Sequence, residues 1–286
     1  MRFAFKTANQ YHEWADILAV WREADGIELY ESGWLFDHFY PIHSPQGDPD
    51  LTGPCLEGWA MLAALAQATT RLRLGTLVTG IHYRHPAVLA NMVATTDIIS
   101  GGRLELGIGA GWNEQESGAY GIQLGGLRER LDRFDEACEV VTRLLAQETT
   151  TFDGTYYQLN EARCEPKGPQ RPYPPIVIGG VGEKRILPTV ARYASQWDAS
   201  AVKSPEDFRH KRDVLRARCD EIGRDVNEIV VSRHVWYDPA KSEIGEIAEQ
   251  AHALAEQGVD LAIIYLAPPL DPSLLAPLAD ALAPLR

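Results

Sequence analysis

Pro86-Ala-Val-Leu-Ala-Asn-Met-Val-Ala-Thr-Thr-Asp-Ile-Ile-Ser-Gly-Gly-Arg-Leu-Glu-Leu-Gly-Ile-Gly-Ala-Gly-Trp-Asn113 is the stretch that decides the fold. Proline is tolerated in the first turn of a helix, where its missing N–H is not needed. Val88, Leu89, Met92, Val93 and Ile99 then recur at helical spacing and form an apolar face. Gly101-Gly102 ends the helix. Residues 104–108 read as a strand, and a glycine-rich loop follows at once. The stretch is therefore one helix and one strand of an alternating α/β chain, with a loop at the strand's C-terminal end.

The same alternation extends in both directions. Toward the N-terminus, residues 2–6 read as a strand and 11–24 as a helix striped by Trp14, Ile17, Leu18 and Trp21. Residues 33–36 form a second strand ending in Asp37-His38, and 41–53, rich in Pro, Gly, Asp and Ser, form a loop. Residues 55–68 are helical and 72–78 are a third strand. Toward the C-terminus, a long amphipathic helix is expected at 128–145. Residues 148–174 fit neither period and read as an insertion, with room for a small hairpin at 151–159. Strands at 176–178, 198–201, 229–235 and 261–265 then alternate with helices at 183–193, 205–222, 244–257 and 272–283.

Eight βα units in 286 residues suit a closed (β/α)8 TIM barrel with insertion segments, spanning residues 1–286 as a single domain. An open doubly wound sheet uses the same alternation. The net charge of −13 argues against sequence-independent nucleic-acid binding and against anionic membrane surfaces. Cys55, Cys138, Cys164 and Cys219 are scattered, which suits free thiols in a reducing, cytoplasmic setting. The N-terminus lacks the apolar run of a signal peptide, and no segment approaches 18 consecutive apolar residues.

In a barrel, ligands bind where the strands end. Asp37 and His38 follow the second strand; a histidine there can donate, take a proton or bind metal, or the pair can simply close a loop. Gly75 inside the third strand signals a bulge or a close backbone approach. His82 and His85 lack a carboxylate at metal-ligand spacing, so no metal site is expected. Gly107-Ile-Gly-Ala-Gly111 lacks the third glycine of a dinucleotide fingerprint and gives a flat ring room to press on backbone. Gly179-Gly-Val-Gly-Glu-Lys-Arg185 leads into a helix; it reads as an anion site of backbone N–H groups, or as a plain turn.

Together, Trp34-Leu-Phe-Asp-His-Phe39, Leu56-Glu-Gly-Trp59, Leu74-Gly-Thr-Leu-Val78, Arg84-His-Pro86, residues 100–113 and Pro174-Pro-Ile-Val-Ile-Gly-Gly180 resemble the luciferase-like monooxygenase superfamily. The resemblance is to its branch that uses coenzyme F420, an 8-hydroxy-5-deazaflavin. It implies a barrel whose cofactor lies at the C-terminal mouth. It implies His38 as acid/base, oriented by Asp37, and ring contacts from Thr76, Leu77, Val78 and Thr79, with a non-proline cis peptide at Leu77–Val78. It further implies that Gly109, Ala110, Gly111 and Asn113 approach the ring, and that Gly179, Gly180, Val181 and Gly182 cradle the phosphate. Relatives that oxidise sugar phosphates carry a Glu after Gly-x-Gly and a Trp four residues beyond the histidine. Those places hold Trp112 and Ile42 here, so a more apolar substrate is expected.

The expected activity is hydride transfer between the deazaflavin and a small, fairly apolar enone, imine, ketone or alcohol. An FMN-dependent monooxygenase with a separate flavin reductase is the alternative, and a non-catalytic flavin-binding barrel the second. Family members are often homodimers, and that expectation is carried over.

Overall fold

The computed structural model describes residues 1–42 and 52–286; most of the loop read at 41–53 lies outside the described residues. The described chain begins β1 (Arg2–Thr7), α1 (Trp14–Gly26), β2 (Tyr30–Leu35) and α2 (Gly58–Ala68). It continues β3 (Arg73–Thr76), β4 (Thr79–Gly80), α3 (Pro86–Ser100), β5 (Leu104–Gly109), α4 (Glu114–Ala119) and α5 (Leu127–Ala146). A hairpin, β6 (Thr150–Asp153) and β7 (Gln158–Ala162), precedes β8 (Ile176–Gly179), α6 (Ile186–Tyr193) and β9 (Gln196–Asp198). Then come α7 (Pro205–Glu221), β10 (Val230–Tyr237), α8 (Ile244–Glu256), β11 (Leu261–Leu266) and α9 (Leu275–Leu282).

The strands close on themselves. The order runs β3-β2-β1-β11-β10-β9-β8-β5-β4, and β3 also pairs with β5 to seal the ring. All these pairings are parallel. Counting β3 and β4 as two pieces of one stave gives a closed eight-stranded barrel, as the alternation predicts. Every residue of β5 and of β11 is buried, because helices cover the strands outside and side chains fill the lumen. Ala4, Trp34, Leu77, Val177, Leu261 and Ile263 form the inner apolar cluster.

Local chemistry sets the element ends. His85 caps α3 by accepting from the Ala87 N–H at 3.2 Å, Pro86 occupies the first turn, and Gly101 ends the helix at φ 66°. Val88 and Ile99, counted above in its apolar face, are exposed; the buried face carries Leu89, Ala90, Val93 and Ala94. The third strand breaks at a cis Leu77–Val78 bond, which separates β3 from β4. The strand expected at 198–201 ends at Asp198, and its first residue is Gln196. Gln196 is polar but buried, donating to Ser232 Oγ at 2.9 Å, so the lumen tolerates it.

The insertion contains the expected hairpin, antiparallel and docked on α5. Glu136 of α5 accepts from the Thr155 and Tyr156 N–H groups at 2.9 Å each and from Tyr157 at 3.2 Å. One carboxylate thus satisfies three turn amides.

Candidate active site

The C-terminal mouth of the barrel holds a pocket of about 250 Å³. Phe36, Ile42, Leu77, Val78 and Trp112 give it apolar walls, Gly80 and Gly111 give it bare backbone, and Lys6, His38 and Tyr83 are its polar groups. A few polar groups among apolar walls is the usual make-up of a cofactor or substrate pocket.

His38 follows β2 and is buried. Its Nδ1 lies 2.8 Å from Oε2 of Glu116, a fully buried residue of α4. A carboxylate only accepts, so Nδ1 carries the proton and Nε2 is the ring's remaining functional nitrogen. Tyr83 donates its hydroxyl to the same Oε2, while the Phe39 and Tyr40 N–H groups donate to Oε1. Burial works against the Glu116 charge, but the hydrogen bonds from His38, Tyr83 and Phe39 outweigh it and hold the carboxyl down at about 2. Trp112 and Phe36 each meet the His38 ring edge-on at 5.4 Å.

This overturns the expectation that Asp37 orients His38. Asp37 is fully buried and faces the other way, held by Arg84 through Nη1 to Oδ2 at 2.6 Å and Nη2 to Oδ1 at 3.0 Å. Arg84 also reaches Glu57. Successive residues point to opposite sides of an extended chain, so only one of the Asp37-His38 pair can face the mouth.

Thr76 and Thr79 do not line the pocket either. Their hydroxyls meet at 2.7 Å, and Trp59 of α2 donates to Thr79 Oγ1 at 2.9 Å, which uses them in packing behind the strand. Leu77 and Val78 do line it. Val78 also explains one glycine: a Cβ at Gly109 would lie 2.9 Å from its Cγ2, whereas one at Gly179 would meet it only at an ordinary 3.8 Å. Ala110 is partly buried against the core. Gly111 (φ 82°) forms part of the wall, and Asn113 instead caps α4, accepting from the Glu116 N–H at 3.1 Å.

The 179–182 loop is more constrained than its sequence suggests. Gly180 donates to the Asp198 carbonyl at 3.3 Å and accepts from Trp197 Nε1 at 2.8 Å. The helix expected from 183 begins at Ile186, and the Gly182 carbonyl accepts from Leu187. Arg185 is paired with Asp132 at 2.7 Å and Asp135 at 2.6 Å, so it adds no free positive charge to the loop. Among the described residues, no backbone carbonyl accepts from the Val181 or Gly182 N–H. Those two amides, not the full run, keep the capacity to bind an anion.

The sequence alone gives Glu116, Tyr83, Arg84 and Lys6 no role. Asn113-x-x-Glu116 has the spacing of a helix start with an acidic third residue, a signal that could have placed α4. Lys6 is a charge that follows Phe3-Ala-Phe5 in β1 and is 6% exposed. His82 is half-buried, and burial pushes its ring down to about 4. No group of three or more metal-ligating side chains occurs among the described residues.

An F420-dependent glucose-6-phosphate dehydrogenase of Microbacterium testaceum is 30% identical over 255 residues, covering 84% of this chain and 70% of that one. The solved structure of an F420-dependent secondary alcohol dehydrogenase with an F420-acetone adduct superposes with a TM-score of 0.82, covering 98% of both chains at 18% identity. A riboflavin lyase with modified FMN and riboflavin gives 0.79 at 16% identity, covering all of this chain and 91% of the other. At those identities the two structures speak for the fold alone. The luciferase-like monooxygenase family model matches residues 3–266. The chain belongs to the luciferase-like monooxygenase family.

Proposed function

We propose that this protein is a coenzyme F420-dependent oxidoreductase acting on a small, fairly apolar ketone, enone, imine or alcohol. The observation that carries the proposal is His38, whose Nδ1 is fixed on buried Glu116 while the ring lines a pocket walled by Phe36, Ile42 and Trp112. A histidine fixed in this way is equipped to give or take a proton at Nε2.

When bound, the deazaflavin supplies or accepts a hydride at ring carbon five. Leu77, Val78 and the bare backbone at Gly109 and Gly111 would lie against its ring, and Gly179, Gly180, Val181 and Gly182 would hold its phosphate, chiefly through the free Val181 and Gly182 amides. His38 holds or moves the proton at the substrate's heteroatom, so that hydride and proton movement stay balanced. Glu116 keeps the imidazole in one tautomer and stabilises its cationic form. The apolar walls exclude water and favour substrates without phosphate. Support for the deazaflavin comes from the F420-dependent relative that aligns over most of the chain.

Fluorescence titration with the deazaflavin coenzyme and with FMN in parallel tests the reading. Saturable binding of the deazaflavin, followed by its reduction or oxidation with a ketone or alcohol panel, is expected. Binding of FMN alone, with peroxide released by the reduced protein in air, would replace the reading with a flavin monooxygenase. Tight binding without hydride exchange would leave a cofactor-binding barrel.

A further inference from the structure

Lys6 sits in β1, inside the barrel, and lines the pocket beside His38. Its ammonium donates to the Leu77 carbonyl at 3.0 Å and lies 5.1 Å from the Tyr265 ring centre. An ammonium has three donors; no second acceptor among the described residues is in hydrogen-bond contact with it. Burial pushes the amine down to about 8, and the Asp198 carboxylate works the other way, so it remains largely charged at neutral pH.

The surrounding groups do not cancel this charge by contact. Around the lumen stand His38 beyond β2, tied to Glu116, and Tyr83 beyond β4. Asp198 of β9 is paired with His234 of β10 at 3.2 Å, and Tyr265 lies on β11. Arg84 is held by Asp37 and Glu57 outside the pocket wall. The pocket therefore carries a buried positive charge, with donors to spare, beside His38 and Tyr83 and among apolar walls.

We infer that Lys6 makes this pocket select a flat ring that carries delocalised negative charge. The inference rests on the deazaflavin reading and deepens it. An 8-hydroxydeazaflavin can lose its ring hydroxyl proton and spread the charge over the ring system, whereas the oxidised ring of FMN is neutral. Lys6 thus supplies a chemical reason for one coenzyme to be preferred over the other.

The test is a pH titration of the visible absorption of the bound coenzyme, with wild-type protein, Lys6→Met and Lys6→Arg. An opposite charge in contact shifts such an ionisation by about 1–3 pH units. The bound hydroxyl should therefore ionise at least about one pH unit lower in wild type and Lys6→Arg than in Lys6→Met. Above that ionisation, Lys6→Met should bind the deazaflavin at least roughly tenfold more weakly, while its FMN affinity changes less than about threefold. If Lys6→Met fails to fold, Lys6→Gln, which keeps a donor for the Leu77 oxygen, is read in its place. Coenzyme that binds but ionises at the same pH whatever stands at position 6 overturns this inference alone. No saturable binding to wild type overturns the coenzyme reading, and the inference with it.

Discussion

Arg84 grips Asp37 with both terminal nitrogens, at 2.6 and 3.0 Å, and so removes from the pocket the carboxylate that stands next to His38 in sequence. The two neighbours do unrelated work. Asp37 ties the loop after β4 to the end of β2, and His38 lines the pocket.

Removing one partner of a buried ion pair leaves an uncompensated charge, which costs about 3–5 kcal/mol. Arg84→Met should lower unfolding stability by that amount, read from urea midpoints at constant m. Arg84→Lys should recover only part of it, because a lysine cannot make the two-pronged contact. A loss under about 1 kcal/mol for Arg84→Met would show that Asp37 is not held in this way.

Catalytic effects should separate the two neighbours. His38→Gln is expected to lower kcat by about 10²–10⁴-fold while coenzyme affinity stays within about threefold. Glu116→Gln keeps an acceptor for Nδ1 but loses the charge, and should lower kcat by roughly tenfold or more with a shifted pH profile. Asp37→Asn should act mainly on stability. If its folded fraction loses as much turnover as His38→Gln, the assignment of Glu116 as the orienting group is wrong.

Two pH windows should be visible in unfolding experiments. His82 is depressed from 6.5 to about 4 by burial. The unfolded chain takes that proton first, so stability falls as pH drops from 6.5 toward 4. Glu116 is held at about 2 against an ordinary 4.5, so its contribution is complete above 4.5 and is lost as pH falls toward 2. His82→Gln should flatten the first slope and Glu116→Gln the second. Unchanged slopes in both variants would remove these assignments.

Two glycines offer a matched contrast. A Cβ at Gly107 would lie 1.8 Å from the Thr76 carbonyl oxygen, which is backbone and cannot step aside. Gly107→Ala should cost about 3 kcal/mol or more. Gly118, inside α4, has nothing within 4 Å of its Cβ position. Gly118→Ala should stabilise by about 0.4–1 kcal/mol. Thermal melts of the pair check both signs.

Long periodic elements could be read from the chain because burial imposes their spacing: α3 and α5 begin and end within a residue of the expected positions. Short ones could not. The six residues of α4 are polar or small and carry no apolar stripe, so the helix that supplies Glu116 stayed hidden. The site's partnerships join residues far apart, Glu116 to His38 across 78 positions and Arg84 to Asp37 across 47, and local pattern does not encode such contacts. Gln196 shows the complementary limit. A polar residue satisfied inside the lumen breaks the apolar run that would mark a strand, and the expected start slipped by two.

Glu136 gives the insertion a fixed address. One side chain on α5 gathers the amides of three consecutive residues, so the turn of the hairpin is moored to that helix. The strands of the hairpin can accept sequence drift on their outer surface, whereas a shortened or neutral residue at this mooring would loosen the turn and open it to proteases before any stave of the barrel gives way.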